Sequence, residues 1–170
     1  IVVGAGFTGI EVATTLVDRL RALSGNARDV RVVLVEREAV VGPDLGAGPR
    51  RAIEDSLAAL GVECRLGTTL DGLTGDRVWL SSGDEIEART VVWTAGLRAS
   101  TLTTMLPATR DALGRLDVDA HLRVPGLAGV FAAGDTAAPY ADATHRVLQS
   151  CQHAIPQGAC AGANAVADLC

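Results

Sequence analysis

Three glycines and one carboxylate define the first place in this chain where chemistry could occur. Gly4, Gly6 and Gly9 stand in Ile-Val-Val-Gly-Ala-Gly-Phe-Thr-Gly, directly behind three apolar β-formers. In a strand-to-helix turn each has its own use. Gly4 permits the tight exit from the strand, and Gly6 lets the backbone approach a pyrophosphate with no Cβ in the way. Gly9 allows the helix to pack closely on the sheet. A pyrophosphate placed there meets free N–H groups and the positive end of the helix dipole. Glu36 ends the next apolar run, where a carboxylate accepts hydrogen bonds from an adenosine ribose and repels a 2′-phosphate. The pattern favours NAD(H) over NADP(H), with the neighbouring Arg37 softening the preference. The plainer alternative is a glycine-rich turn with a surface glutamate. Its weight falls because the motif sits between a strand and an amphipathic helix.

A second candidate is Asp135, flanked by Gly134 and Thr136 at the end of the apolar run 129–133. A carboxylate at the C-terminal end of a strand is well placed to accept sugar hydroxyls; the alternative is an Asp that caps the following turn.

Other chemistries are excluded. All fifteen basic residues are Arg, so no lysine can reach a phosphate as in a P-loop or form a Schiff base. The formal charge of −5 advertises no basic surface for nucleic acid. No metal-ligand cluster accompanies His121, His145 or His153. Cys64, Cys151, Cys160 and Cys170 form no C-x-x-C pair and read as reduced, mostly buried thiols, with a reactive Cys151 or Cys160 as the alternative. No apolar run approaches the length that spans a bilayer.

The elements that must position these residues follow from periodicity. Residues 1–3 end a buried strand, and Ile10, Val12, Ala13, Leu16, Val17, Leu20 and Leu23 recur at helical spacing before Gly25-Asn26 stops the helix. The stretch 24–29 lengthens the loop to the next strand, 30–36, a β-branched run of the kind buried in parallel sheets. A second helix is predicted from Pro49 to Gly61 and a third strand at 62–66, so the order is strand, helix, strand, helix, strand. Residues 77–88 predict a hairpin around Ser82-Gly83, and 90–96 another apolar strand. Further on, 115–124 alternates as an exposed strand does, 129–135 reads as a buried strand, and a small-residue helix spans about 152–169. Ala154, Gly158, Ala161, Gly162 and Ala165 leave the backbone of that helix open to close approach; tight packing uses the same residues.

Together these stretches resemble the two-dinucleotide-binding flavoprotein oxidoreductases, the pyridine nucleotide-disulfide oxidoreductase superfamily, and within it the type II NADH dehydrogenases. "GAGFTGIE" (4–11) is similar to the family's internal NADH site, "VVWTAG" (91–96) to its return strand, "GVFAAGDTA" (129–137) to its second FAD fingerprint, and "QSCQHAIPQG" (149–158) to the helix start beneath the flavin. The resemblance implies an α/β fold: a Rossmann-like three-layer NADH-binding domain over 1–93, then over 94–170 the C-terminal part of a second, FAD-binding Rossmann-like domain. It implies that Gly4, Gly6, Phe7, Thr8, Gly9, Glu11 and Glu36 meet NADH, and that Thr94, Ala95 and Gly96 line the return to the flavin. Gly134, Asp135, Gln152, His153 and Ala154 would meet FAD. Glu11 would place the nicotinamide, where a plain first-turn acid is the alternative, and Gln152 would border the acceptor.

The implied function is hydride transfer from NADH to FAD, then electrons to an acceptor, of which a quinone is one candidate. The alternatives are a soluble flavoprotein with a non-quinone acceptor and a non-catalytic NAD(H)-binding module. One departure bears on the acceptor. Type II NADH dehydrogenases carry two glutamines a helical turn apart; Gln152 matches the first, but Pro156 occupies the second position and Gln157 follows it. The resemblance further implies a cytoplasmic location, with peripheral attachment to the inner face of the cell membrane through segments absent here, and allows a homodimer. No leading FAD-binding segment precedes Ile1, so the expectation is a fragment that binds NADH weakly by itself, holds no FAD and aggregates.

Overall fold

The computed structural model describes residues 1–26 and 30–170. Part of the loop expected to be long, at 27–29, lies outside the described residues. The chain divides into two compact units, Ile1–Gly96 and Leu97–Cys170.

The first unit is built on parallel pairing. Strand β1 (Val2–Val3) runs into helix α1 (Phe7–Ser24), which returns the chain to β2 (Val33–Val35); helix α2 (Ala47–Leu60) leads to β3 (Glu63–Arg65). Each helix is the crossover that parallel neighbours require. Both helices end as their glycines predict, with Gly25 at φ 68° and Gly61 at φ 76° as left-handed C-caps. Helix α2 begins at Ala47, ahead of the expected Pro49, which stands inside its first turn. A further strand, β7 (Val92–Trp93), joins the other side of β1, giving the order β3-β2-β1-β7.

Strand periodicity divides the core into two layers. Leu34 of β2 packs with Val2, Ala13, Val17 and Leu57 beneath the helices, whereas Val33 and Val35 face Val78, Leu80 and Ile86. Successive side chains on a strand point to opposite faces, so one strand serves both layers. The second layer is an antiparallel meander of β4 (Leu70–Thr74), β5 (Arg77–Leu80) and β6 (Glu85–Glu87). The hairpin of β5 and β6 is the expected one. Strand β4 is a correction to the sequence reading: its Leu-Asp-Gly-Leu-Thr carries too few β-formers to announce a strand, its pairing is irregular between Leu70 and Gly72, and Trp79 lies over Gly72.

The second unit differs more from expectation. Neither 115–124 nor 129–135 forms a strand; the structure has only isolated bridges, Leu116 with Ala137 and Arg123 with Phe131 among them. The alternation at 115–124 marks a core, not an exposed strand: Leu116, Val118, Leu122 and Val124 are all buried. A tight turn interrupts the run, with Asp119 accepting from the His121 and Arg123 amides and Leu122 at φ 63°. Within 129–135 only Ala132 is buried, and the cross-strand type of backbone bond runs to one neighbouring segment, from Val124 N–H to Val130 O and from Ala132 N–H to Leu122 O. Helix α3 (Cys151–Ala167) closes the unit and buries Ala161.

The cysteine expectation is also corrected. All four thiols are free and exposed. Cys64 lies on β3, the outer strand of the parallel sheet, Cys151 and Cys160 lie on solvent-facing positions of α3, and Cys170 is the last residue. Among the described residues no helix is long and apolar enough to cross a membrane.

Candidate functional site

The glycine turn of the first unit has the geometry its sequence predicts, and each glycine has a different cause. Gly4 has φ 100°, and a Cβ there would stand 2.9 Å from the backbone of Ala95. A Cβ on Gly9 would stand 1.7 Å from the Gly4 carbonyl oxygen, so helix and turn meet backbone to backbone. Gly6 is the opposite case, with open space around its Cβ position. It is the N-cap of α1 with no side-chain cap, so the first N–H groups of the helix are left for an acceptor. An uncapped helix start behind an open glycine fits a pyrophosphate.

Glu36 completes this cradle. The parallel register sets Val3 beside Val35, which brings the next residues, Gly4 and Glu36, abreast. The Ala5 amide donates to Glu36 Oε2 at 2.6 Å and the Glu38 amide donates to Oε1 at 3.0 Å. The carboxylate is therefore fixed at the mouth of the turn. Arg37 is mostly exposed and pairs with Glu38 at 3.2 Å.

Thr94 and Ala95 sit behind the same turn. The Thr94 hydroxyl donates to Val3 O at 2.7 Å and lies 3.1 Å from Gly4 O, and Ala95 is the neighbour that forbids a side chain at Gly4. Gly96 is exposed at φ 79°. Phe7, Thr8 and Glu11 are exposed on α1. Because α1 begins at Phe7, Glu11 stands in the second helical turn and not the first, and its carboxylate has no hydrogen-bond partner among the described residues.

In the second unit, Gly134 has φ 67° and opens a 3-10 turn, Gly134–Thr136. The turn lies against α3: a Cβ on Gly134 would stand 3.3 Å from Ala154 Cβ. The Asp135 carboxylate is exposed and bonds to no other described residue. Gln152 is exposed; His153 pairs through Nδ1 with Ser150 Oγ at 2.9 Å, an interaction across the first turn of α3. Pro156 lies inside the continuous α3, where it cannot donate to the Gln152 carbonyl.

Two contacts escaped the sequence reading. The Gly134 amide donates to Gln157 Oε1, and Gln149 Nε2 donates to Asp135 O, each at 2.8 Å. Around them Arg115 bonds Asp111 Oδ2 at 2.7 Å and Val147 O at 2.8 Å, while Arg146 bonds Asp117 at 2.6 Å and lies over the Tyr140 ring. Burial pushes Asp111 up, but the hydrogen bonds from Arg115 outweigh it and hold the carboxyl below its ordinary value. In the exposed loop, amide bonds from Thr144 and His145 lower Asp142 to about 2.

The sequence profile described as pyridine nucleotide-disulphide oxidoreductase matches residues 1–158. The chain belongs to this family. An NADH dehydrogenase-like protein of Mycobacterium tuberculosis is 49% identical over 171 residues, covering 99% of this chain and 43% of the relative. The type II NADH:quinone oxidoreductase Ndh of the same organism is 33% identical over 151 residues, covering 81% of this chain and 33% of that protein. The chain thus spans well under half the length of these relatives. Among solved structures, an NAD-dependent persulfide reductase from A. fulgidus matches with TM-score 0.75 and 24% identity, over 96% of this chain and 30% of that one. At that identity the likeness shows the fold, which agrees with the oxidoreductase family.

Proposed function

We propose that this chain is part of a flavoprotein that oxidises NADH, with residues 1–93 holding NADH and residues 94–170 contributing to the FAD site. The observation that carries the proposal is the first turn: an uncapped helix start at the open Gly6, with the Glu36 carboxylate fixed 2.6 Å from the Ala5 amide. Gly6, Phe7, Thr8 and Gly9 present backbone to the pyrophosphate, and Glu36 receives the adenosine ribose. Thr94 and Ala95 hold the turn from behind, and Gly96 continues the chain beside it. Glu11, exposed and with a carboxylate that has no partner among the described residues, orients the nicotinamide half.

The second turn fits the other cofactor. Asp135 offers a carboxylate that no described side chain uses, and Gly134 brings the backbone against Ala154. Asp135 accepts sugar hydroxyls, and the start of α3 at Gln152, His153 and Ala154 supports the flavin. When bound, the two cofactors supply the hydride donor and its acceptor; the chain's own residues bind, orient and exclude competing reactions.

A quinone is the proposed acceptor on the similarity to type II NADH:quinone oxidoreductase. Pro156 favours a second reading, a non-quinone acceptor, because it removes the side-chain amide that the quinone-bordering pattern has there. Peripheral attachment to a membrane belongs to the first reading. Steady-state oxidation of NADH by the full-length protein with a soluble quinone analogue, and separately with a one-electron dye, tests both. Turnover with the quinone supports the first reading, turnover with the dye alone supports the second, and binding of NADH without turnover removes both.

A further inference from the structure

We propose that Gln157 is a positioning residue for FAD, acting with Gln149 to fix the direction in which the Asp135 carboxylate points. The inference rests on the reading that Asp135 receives sugar hydroxyls of the flavin cofactor. Gln157 is half-buried on a helix whose other residues are mostly exposed. Its Oε1 accepts from the Gly134 amide at 2.8 Å, across 23 residues of chain. From the other side Gln149 Nε2 donates to the Asp135 carbonyl at 2.8 Å. One side-chain amide therefore holds the N–H entering the turn, and another holds the C=O leaving it.

The turn is braced internally as well. Ala137 N donates to Gly134 O at 3.0 Å, and Thr136 Oγ1 donates to Ala133 O at 3.0 Å. None of these bonds uses the Asp135 carboxylate, which has no partner among the described residues. A braced backbone carrying an uncommitted carboxylate is ordered before its ligand arrives, so binding need not supply that ordering. Gly134, held left-handed against Ala154, is the pivot on which the direction of Asp135 depends. Loss of the Gln157 acceptor frees that pivot and leaves a half-buried N–H without its partner.

The test is a double-mutant cycle on FAD affinity in the full-length protein, measured by titrating the apoprotein with FAD and following flavin fluorescence. Gln157→Leu is expected to weaken FAD roughly tenfold. Gln157→Glu, which keeps an oxygen facing the Gly134 amide, is expected to stay within about threefold of the original. In an Asp135→Ala background Gln157→Leu should add less than about a twofold loss, because the residue acts through the carboxylate. Equal losses in both backgrounds would overturn the proposal in favour of plain packing. So would an Asp135→Ala variant that binds weakly beside a Gln157→Leu variant that binds normally. An Asp135→Ala variant with unchanged affinity would instead remove the underlying reading of Asp135. Gln149→Leu, in a loop, carries the same cycle if Gln157→Leu does not fold.

Discussion

Glu36 Oε2 stands 2.6 Å from the Ala5 amide nitrogen, so the carboxylate at the end of β2 is bonded to the glycine turn at the end of β1. The same side chain accepts the Glu38 amide through its other oxygen. Two backbone donors thus hold one acid at the mouth of the turn, the position proposed for an adenosine ribose.

Glu36→Ala should therefore weaken NADH binding by about ten- to a hundredfold, the loss expected for hydrogen bonds to a charged group. NADPH should lose less, because the charge that repels its 2′-phosphate goes too. Isothermal titration with each coenzyme checks this; an unchanged ratio of the two dissociation constants would remove Glu36 from the site.

The glycines of the turn separate folding from binding. Gly9→Ala places a methyl 1.7 Å from the Gly4 carbonyl oxygen, in backbone that cannot yield. Its cost should be several kcal/mol, roughly 3 or more, in line with severe overpacking. Gly6→Ala meets open space at φ −74°, so its melting temperature should stay near that of the original protein while NADH affinity falls, because the new methyl would stand in the proposed path of the pyrophosphate. Thermal denaturation alongside titration reads both. A Gly6→Ala variant that binds NADH normally would contradict the placement of the pyrophosphate.

Thr94 is expected to act on stability through the turn. Its hydroxyl donates to Val3 O at 2.7 Å and lies near Gly4 O, so Thr94→Val should cost about 1 kcal/mol and Thr94→Ser much less. Denaturant unfolding of the three proteins measures the difference. Equal stability of the Val and Ser variants would show that the hydroxyl contributes nothing.

In the second unit, stability should depend on acid through one pair. Arg115 donates to Asp111 at 2.7 Å, and both side chains are largely buried, 9% and 15% exposed. Burial alone would raise the Asp111 value, yet the hydrogen bonds from Arg115 lower it. Protons therefore bind Asp111 more readily in the unfolded chain. The contribution is complete above the ordinary Asp value of about 4 and is lost as the pH falls through the lower folded value. Asp111→Asn should cost about 3 kcal/mol near neutrality, since it leaves a buried guanidinium without its counter-charge, and the gap should narrow on acidification. Urea unfolding of both proteins between about pH 3 and pH 7 tests the sign; a gap independent of pH would refute it.

Legibility in the sequence followed the strength of local chemistry. The β1-α1-β2-α2-β3 order was readable because glycines and β-branched runs there have one structural use each, and parallel pairing forces the crossovers. The contact of Glu36 with Ala5 could have been foreseen from register, since β1 and β2 run side by side and end together. Strand β4 was not readable: Asp71 and Gly72 dilute its pattern. The alternation of Leu116, Val118, Leu122 and Val124 was seen, but period two identifies a face and not a pairing partner. The Asp119 turn splits the run into loop segments that bury the same residues. Gln157 was the least visible, because a side-chain amide that reaches a distant backbone N–H leaves no spacing to detect.

The most direct measurement is anaerobic mixing of NADH with the full-length protein, followed through the visible absorption of bound flavin. The expected result is a yellow protein whose flavin band bleaches on NADH, and bleaches far less in the Gly6→Ala variant at equal coenzyme. A colourless protein that leaves NADH unoxidised would contradict it.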